Sequence, residues 1–338
     1  MQMAPRLACF LLVPLVEGAR RAREAEHALM ASPAHEALDP LIMRTCVQTY
    51  TSNLTSLGSG LDSAEGGEEF QLQTHATALH EAWAKKIDRL SRRSDDVVTP
   101  RSAPISVIGA GFGTTGTSSL AAALSAFNLT VFHANAAFAS SNDSKVYTPD
   151  GQLLDPYAYR SPIMKAWQER SCFEMLDAHD YTLPRGLNAW LDRPVAESFV
   201  DILLANTDAK VVLTTRPVAD WVVERGKYNV QIPIERPCYA PRRIGTRNME
   251  LVGRLVLLHN ELVRCLVPPS RLLEIDVFGG ASGSASGAAD AMRRLGELLG
   301  MAAPPHEAYP KMSASELTRL PTMYIQGRFT PVTTSRLD

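Results

Sequence analysis

Apolar residues in the chain after position 105 follow two alternating patterns. Short apolar runs without polar alternation predict strands that are buried on both faces of a parallel sheet. The predicted strands are residues 105–109, 130–133, 188–191, 210–215 and 271–275. Stretches with apolar residues at i, i+3 and i+4 separate them and predict helices. This alternation predicts an α/β fold with a mostly parallel central sheet.

Three of the predicted helices show a clear apolar stripe. The stripes consist of Leu120, Leu124 and Phe127 in the first helix, Val195, Phe199 and Ile202 in the second, and Leu251, Leu255, Leu258, Leu262 and Leu266 in the third. Pro194 precedes the second stripe, in a position that proline favours at a helix start. Residues 279–288, rich in Gly and Ser, predict a flexible surface loop.

The first hundred residues have a different pattern. They contain helical stretches around 17–31 and 72–93, and the polar segment 52–69 between these stretches predicts a loop. Residues 94–104 are typical of a linker. We therefore predict a helical N-terminal extension with a polar loop, followed by an α/β domain, with bounds 1–100 and 101–338.

Composition restricts the class of partner. The 338 residues are 45% hydrophobic and 21% charged, which is typical of a soluble globular protein. Basic and acidic residues nearly balance, with a net charge of −2, so no strong field attracts nucleic acid or an anionic membrane. We expect no nucleic-acid partner, and any charged ligand must be bound by local charges.

The five cysteines are scattered along the chain, at Cys9, Cys46, Cys172, Cys238 and Cys265. They form no CxxC pair or Cys/His cluster, so we predict no metal site. An odd, sparse set in a long chain favours buried thiols in a reducing compartment over a disulfide framework.

The N-terminus leaves two alternatives open. Arg6 precedes the apolar run 7–16, which resembles the core of a short signal segment and would imply a secretory route. The run also fits the start of a helix, because residues 17–30 are strong helix formers, and this alternative favours a cytoplasmic protein. The run is too short for a transmembrane helix. Oligomeric state is not indicated.

A glycine-rich turn between a predicted strand and a predicted helix carries the strongest chemical signal. Residues 109–118 contain four glycines, which allow a sharp turn and close approach of a ligand. Thr117 and Ser118 then place hydroxyls at a helix N-terminus, where free N–H groups and the helix dipole favour an anion. The turn predicts a site for a phosphate-bearing nucleotide.

Two common nucleotide loops fit the turn incompletely. A GxGxxG pattern lies between Gly111 and Gly116, but a dinucleotide site also needs an acid after the second strand, which ends instead at His133. The Walker pattern fits Gly111, Gly116 and Ser118, but Thr117 replaces its lysine. Without that lysine, a kinase or ATPase lacks its contact to the β- and γ-phosphates.

Several motifs in order resemble the sulfotransferases. They are VIGAGFGTTGTSSLAAAL, the strand end at His133, LDRPVAESF, DAKVVLTTRPVADWVVE and HNELVRCLVPPSRLLEIDV. They are most similar to P-loop sulfotransferase-like proteins with the loop GxGRTGTxSL, and the resemblance covers about residues 106–312. It implies a P-loop NTPase-like three-layer fold, 3′-phosphoadenosine 5′-phosphosulfate (PAPS) as co-substrate, and a hydroxyl or amine acceptor.

The resemblance also implies roles for individual residues. The 5′-phosphosulfate would be held by Gly113, Thr114, Thr115, Gly116, Thr117 and Ser118. Arg216, at a strand end, would bind the 3′-phosphate. Asp192 would be the catalytic carboxylate, or it would cap the following helix. His133 would contact substrate or carry a proton, or it would be a structural histidine.

Two positions depart from the family pattern. Thr114, which we keep among the catalytic candidates, replaces an arginine of the loop or the catalytic lysine of other sulfotransferases. Glu224 replaces a serine beside the 3′-phosphate, although Arg225 and Lys227 are near in sequence. Lys165 or an arginine of the loop 235–247 are candidates to restore the missing charge.

These departures leave competing hypotheses. The first is a PAPS-dependent sulfotransferase. The second is a catalytically silent relative that binds nucleotide or a protein partner, and Thr114 and Glu224 favour it. The third is a small-molecule kinase, which Thr117 opposes.

Overall fold

The structure is a computed structural model. It describes residues 37–59, 72–92, 105–127, 129, 131–133, 146–147, 153–154, 188–192, 195–226, 249–278, 285–304 and 309–311. The signal-like run, the helical stretch around 17–31, the linker and the loop 235–247 lie outside these residues, as do Pro194, Lys165 and Lys227.

The described elements alternate along the chain as the sequence pattern predicts. The helices are α1 (Pro40–Ser59), α2 (Leu72–Arg92), α3 (Thr117–Ala126), α4 (Phe199–Ala205), α5 (Val218–Gly226), α6 (Met249–Leu266) and α7 (Ala285–Leu299). The strands are β1 (Val107–Gly109), β2 (Val131–His133), β3 (Val146–Tyr147), β4 (Leu153–Leu154), β5 (Ala189–Leu191), β6 (Lys210–Thr215) and β7 (Leu272–Asp276). Short 3-10 helices, Ala196–Ser198 and Pro269–Arg271, precede α4 and β7.

The central sheet confirms the predicted α/β fold. Within the described ranges, five strands form one sheet in the order β2-β5-β1-β6-β7, and every pair is parallel. These are the strands that the apolar runs predict, with ends shifted by at most two residues. The antiparallel pair β3–β4, which the sequence pattern did not reveal, stands apart from this sheet.

The order of the strands places β1 at a topological switch point. The chain runs from β1 to β2 and β5 on one side, then crosses to β6 and β7 on the other. In open parallel sheets, ligands bind outside the carboxyl ends of the strands at such a point. The glycine-rich turn follows β1 at this place in the sheet.

Helices cover both faces of the sheet and make the three layers that the resemblance implies. Successive strand residues face opposite sides, as in β1, where Val107 and Ile108 belong to different hydrophobic clusters. The cluster of Val107 includes residues of α3 and α7, and the cluster of Ile108 includes residues of α1, α2, α4, α5 and α6.

Helix α1 corrects one sequence prediction, because residues 52–59 of the predicted polar loop are helical. Their hydroxyl groups bond back along the helix: Thr55 Oγ1 donates to the Thr51 carbonyl over 3.0 Å, and Ser56 Oγ to that of Ser52 over 3.0 Å. Such bonds satisfy Ser and Thr inside a helix. The buried face of α1 consists of Met43, Cys46, Val47, Tyr50 and Leu54, which have helical spacing.

The N-terminal helices share a hydrophobic core with the sheet. Trp83 of α2 is fully buried in the same cluster as Ile108 of the central strand. Lys86 Nζ lies 2.7 Å from the buried Asp201 carboxylate of α4, so an ion pair also joins α2 to the domain. The extension therefore packs as part of the sheet's own core.

A disulfide between Cys46 and Cys265 corrects the prediction that the cysteines are thiols. It joins α1 to α6 across 219 residues of sequence, where packing of the two helices brings the Cα atoms to 5.7 Å. Spacing along the chain carries no trace of such a pairing. Cys9, Cys172 and Cys238 lie outside the described residues.

Helix α7 corrects a third prediction, because the loop foreseen over residues 279–288 gives way to helix at Ala285. The apolar stripe of Ala288, Met292, Leu295 and Leu299 packs on the sheet, and it extends the helix into the Gly/Ser-rich segment. Among the helices that the structure describes, none is long and apolar enough to cross a membrane.

Candidate functional site

The predicted site residues meet at one edge of the sheet. His133 ends β2, Asp192 follows β5, and Arg216 follows β6, while the glycine-rich turn follows β1. All four strands are parallel, so these ends lie side by side. The structure therefore places the residues that the sequence predicted around the turn.

Hydrogen bonds within the turn give it its shape. The Thr115 amide donates to the Phe112 carbonyl over 3.1 Å, and Thr115 Oγ1 donates to the same oxygen over 2.6 Å. The Thr115 hydroxyl also lies 2.7 Å from Thr214 Oγ1 of β6. The Thr115 hydroxyl is thus engaged in contacts with the turn and with β6. Gly116 closes the turn at φ 105°, a left-handed conformation that favours glycine, and α3 begins at the next residue.

Side chains from later elements hold the turn from the β6 side. Trp221 Nε1 donates to the Gly113 carbonyl over 3.0 Å, and His259 Nε2 lies 2.7 Å from the Ala110 carbonyl oxygen. Because a carbonyl only accepts, this ring nitrogen of His259 carries the proton. Trp221, His259 and Thr214 all lie in motifs that carry the family resemblance, yet the motifs alone did not assign them these contacts.

Two buried glycines of the turn are packed closely by neighbouring side chains. A methyl group on Gly111 would come within 2.6 Å of Thr115 Oγ1, and one on Gly113 within 2.7 Å of Arg225 Nη1 and 2.8 Å of Asp192 Oδ1. Approaches below 3.0 Å are essentially never seen for a real Cβ atom. Both positions therefore require glycine if these neighbours are to stay where they are.

Thr114 is the strained member of the turn. Its φ is 73°, where a β-branched residue is a true outlier. Its carbonyl accepts a bond of 3.3 Å from Arg216 Nη1. Its buried Oγ1 has no hydrogen-bond partner among the described residues. Strained residues and buried polar groups without a partner are features that cluster at functional sites.

Asp192 directs its side chain at the turn. Its φ is 66°, a conformation that aspartate tolerates better than most residues. Oδ1 lies beside Gly113, and Oδ2 is 4.0 Å from His133 Nδ1. The 3-10 helix Ala196–Ser198 follows, with Val195 as its N-cap residue, and the Val195 amide donates to the Asp192 carbonyl over 2.7 Å. Asp192 thus contacts the start of this helix through its backbone, while its side chain faces the turn.

His133 connects the turn to Asp192. Its Nε2 lies 3.2 Å from Thr117 Oγ1, and its Nδ1 has no hydrogen-bond partner in the described part of the chain. Burial lowers the pKa of His133, and the Asp192 carboxylate opposes that shift with a weaker effect. The ring is therefore neutral at pH 7, and its contact with Asp192 is no ion pair.

Arg216 lies over the outer side of the turn. Its guanidinium carbon is 4.1 Å from the centre of the Phe278 ring, in a cation–π arrangement. Glu224 Oε2 lies 4.0 Å from Arg216 Nη2, so the acidic departure from the family pattern does adjoin this arginine. The buried Nε of Arg216 lacks a hydrogen-bond partner among the described residues.

Arg225 occupies a different place from the one its sequence position suggested. It follows Glu224 in the sequence, but its guanidinium lies against Gly113 and the Asp192 side of the turn. The side chain is buried at the end of α5. Helical periodicity explains the difference, since neighbouring residues on a helix point about 100° apart. Within the ranges that the structure describes, no cluster of His, Cys, Asp and Glu could hold a metal ion.

Comparisons with known proteins bear on this site. The family model described as a sulfotransferase domain matches residues 106–231. Among solved structures, the chain is similar to sulfotransferase STF9 from Mycobacterium avium, with 11% identity, 86% of this chain and 88% of that chain covered, and a TM-score of 0.34. Identity and score are too low for an argument about function. No curated protein matches the chain. The resemblance to sulfotransferases that the motifs predicted is therefore confirmed over residues 106–231, which contain the turn, His133, Asp192 and Arg216.

Proposed function

We propose that the chain is a sulfotransferase that uses PAPS as donor and a hydroxyl or amine as acceptor. One observation carries the proposal: the turn, an acid, a histidine and an arginine meet at the switch point of a parallel sheet, inside the segment that matches a sulfotransferase domain. Each of these groups has a task in sulfuryl transfer.

The turn suits the phosphosulfate end of the donor. The first N–H groups of α3 have no acceptor within their own helix. Thr114 Oγ1 adds a buried hydroxyl with no partner among the described residues. Gly113, Thr114, Gly116, Thr117 and Ser118 would contact this end, and Thr115 would contribute through the backbone, because its hydroxyl is engaged.

Arg216 suits the 3′-phosphate. A guanidinium presents two parallel N–H donors to phosphate oxygens, and the Arg216 guanidinium lies over the Phe278 ring. The Nε group of Arg216, which has no partner within the described residues, supplies a further donor. Glu224 at 4.0 Å weakens the attraction without reversing it, because its side chain is about a quarter exposed and water screens it.

Asp192 is the group best placed to take the acceptor proton. PAPS supplies an activated sulfuryl group, and the acceptor must lose a proton as its oxygen or nitrogen bonds to sulfur. The Asp192 carboxylate adjoins Gly113, where the reacting end would lie. Neutral His133, anchored on Thr117, would accept or relay that proton through Nδ1, which lies 4.0 Å from the carboxylate.

A silent relative that binds nucleotide or a partner is the second candidate. A specific observation favours it: Thr114 brings no charge to the place where the family loop carries arginine. Losing one preorganised donor to the leaving group costs on the order of 10²–10³ in rate, by analogy with an oxyanion hole. Such a protein would keep the nucleotide site and lose transfer.

Calorimetric titration separates the nucleotide classes. We expect 3′-phosphoadenosine 5′-phosphate to bind more tightly than ATP or NAD, and Arg216→Gln to weaken it by about 10–100-fold. Arg254→Gln is the matched control, because it removes an exposed arginine that pairs with Glu250 on α6. Failure of the bisphosphate to bind the wild type would contradict both candidates.

Transfer of labelled sulfate from PAPS to a panel of alcohols and amines divides the enzyme from the silent relative. The enzyme is supported if transfer depends on Asp192. Tight binding of the bisphosphate with no transfer to any acceptor class would favour the second candidate.

A further inference from the structure

The turn has a cation beside it, although none in its own sequence. Arg225, on the last turn of α5, places Nη1 2.7 Å and the guanidinium carbon 3.3 Å from the point that a methyl group on Gly113 would occupy. Asp192 Oδ1 lies 2.8 Å from that same point. The guanidinium and the carboxylate therefore converge on one glycine of the turn.

The burial of Arg225 makes this placement informative. Only 8% of the residue is exposed, and arginine is rarely buried without a task for its charge. The helix dipole at the end of α5 favours a cation there, but it would equally favour one that stays in water. The Arg225 guanidinium therefore packs against the backbone of the turn, beside the Asp192 carboxylate.

We propose that Arg225 supplies the positive charge which Thr114 no longer provides, by contacting the phosphosulfate end of the donor. This inference rests on the proposed function. Arg216 and Arg225 then divide the nucleotide between them: Arg216 holds the 3′-phosphate, and Arg225 holds the 5′ end.

The chemistry of transfer explains why a cation belongs at Gly113. The acceptor oxygen forms a bond to sulfur, the bond from sulfur to the bridging oxygen breaks, and that electron pair stays on the 5′-phosphate. The acceptor proton passes to the Asp192 carboxylate. Negative charge grows on the bridging oxygen, and an N–H of Arg225 stabilises it. Base and cation are needed next to each other, as Asp192 and Arg225 are.

Binding of half-ligands tests the division between the two arginines. Titrations use adenosine 5′-phosphate, adenosine 3′-phosphate and 3′-phosphoadenosine 5′-phosphate. Arg225→Gln should weaken the 5′-phosphate by about 10–100-fold and spare the 3′-phosphate. Arg216→Gln, the matched variant, should do the reverse. Equal losses of both half-ligands in Arg225→Gln would overturn the inference, because they would show that Arg225 supports the fold alone.

A positive charge introduced at position 114 tests whether Arg225 supplies the charge that Thr114 lacks. Arg225→Gln should lower sulfuryl transfer by on the order of 10²–10³. Adding Thr114→Arg to this variant should recover at least tenfold of that loss, whereas Thr114→Ser should recover nothing. Arginine at this position adds no strain, because it replaces a β-branched residue at φ 73°. No recovery with arginine would count against the inference.

The outcomes distinguish this inference from the proposed function. A wild type that binds none of the three nucleotides removes the proposed function. A wild type that binds the bisphosphate, with Arg225→Gln unchanged toward both half-ligands, overturns the inference alone. If Arg225→Gln does not fold, Arg225→Lys keeps the charge without the planar fork. A smaller loss confined to the 5′-phosphate then supports the inference, and no loss overturns it.

Discussion

The two sides of the central strand β1 differ in what they bring to the glycine-rich turn. On the β6 side, Thr214, Trp221 and Arg216 all bond to the turn and hold its shape. On the β5 side, Asp192 and His133 lie 4.0 Å apart, and His133 Nδ1 has no hydrogen-bond partner among the described residues. The β6 side therefore shapes the turn. The β5 side presents the Asp192 carboxylate and the His133 imidazole, with no hydrogen bond between them.

The residues that shape the turn are therefore different from the residues that can take part in proton transfer. The β6 side also carries Arg216, so it suits the charged nucleotide, while the β5 side suits the neutral acceptor and its proton. The two sides meet at Gly113, where Asp192 Oδ1 and Arg225 Nη1 approach the same point. Changes to Asp192 should alter rate, changes to Arg216 should alter binding, and changes to Arg225 should alter both.

The largest expected effect is a loss of sulfuryl-transfer rate when Asp192, on the β5 side, is changed. Asp192→Asn should lower transfer by about 10²–10⁴-fold, because the acceptor proton loses its base. Asparagine tolerates the φ of 66° at this position, so the fold should persist. Affinity for 3′-phosphoadenosine 5′-phosphate should stay the same or rise, since a negative charge beside the phosphate is removed. Initial rates and calorimetry on the same preparation measure both.

The control for this variant is Asp208→Asn, which removes an exposed carboxylate before β6 at the opposite edge of the sheet. It should leave both rate and affinity unchanged. Wild-type transfer by Asp192→Asn would show that the base lies elsewhere, and a parallel loss of affinity would mean that the two sides are not separate.

The next effect joins the two sides, because it fills the space between them. Gly113→Ala places a methyl group 2.7 Å from Arg225 Nη1 and 2.8 Å from Asp192 Oδ1, so both side chains must shift. We expect affinity for the bisphosphate to fall at least tenfold, with a stability cost of about 1–3 kcal/mol from overpacking. Titration calorimetry and thermal unfolding measure these.

Gly226→Ala is the matched control for that substitution, since a methyl group there meets nothing within 4 Å. Its free energy of unfolding should change by no more than about 0.5 kcal/mol, as for most surface changes. Equal effects of the two alanines on binding would mean that the close approach of Arg225 and Asp192 to Gly113 has no special role.

The sequence predicted more of the sheet than of the contacts between its ends. The strands were identifiable because each is an apolar run. The roles of Asp192, His133 and Arg216 came from the family resemblance, and the structure has these residues at the edge where the parallel strands end. The position of Arg225 depends on the rotation of α5 over the sheet, which no local pattern encodes. The Cys46–Cys265 disulfide joins residues that only tertiary packing brings together.

Helix α1 was missed for a different reason. Its Ser, Thr and Gly residues are typical of turns, and they outweighed an apolar stripe that was present in the sequence at helical spacing. This stripe consists of Met43, Cys46, Val47, Tyr50 and Leu54. Tertiary burial of that stripe against α2 and α6 overrides the weak helix propensity of the segment.

A smaller effect is expected on the β6 side, and it should increase affinity. Glu224→Gln removes the carboxylate 4.0 Å from Arg216 Nη2 and should tighten binding of the bisphosphate by about two- to fivefold, consistent with a screened, partly exposed pair. The gain should shrink at high salt. Asp220→Asn, which removes an exposed carboxylate from the first turn of the same helix, serves as control. Weaker binding by Glu224→Gln would indicate that the glutamate positions Arg216 for the phosphate.

The smallest effect concerns the stability of the β5 side as a function of pH. Burial lowers the pKa of His133 below its ordinary value of about 6.5, so the unfolded chain binds a proton that the folded chain excludes. The free energy of unfolding should therefore fall as pH drops through about 6.5, by at most about 1.4 kcal/mol per pH unit for one proton, and level off below the folded pKa. Urea unfolding between about pH 7.5 and 5 should show that the free energy of unfolding declines less steeply in His133→Gln than in the wild type. His80→Gln, which removes a half-buried histidine of α2, is the control for the loss of a histidine elsewhere. An unchanged decline in His133→Gln would mean that the ring accepts its proton in the folded state, paired with Asp192, and the β5 side would then carry an ion pair instead of a separate acid and base.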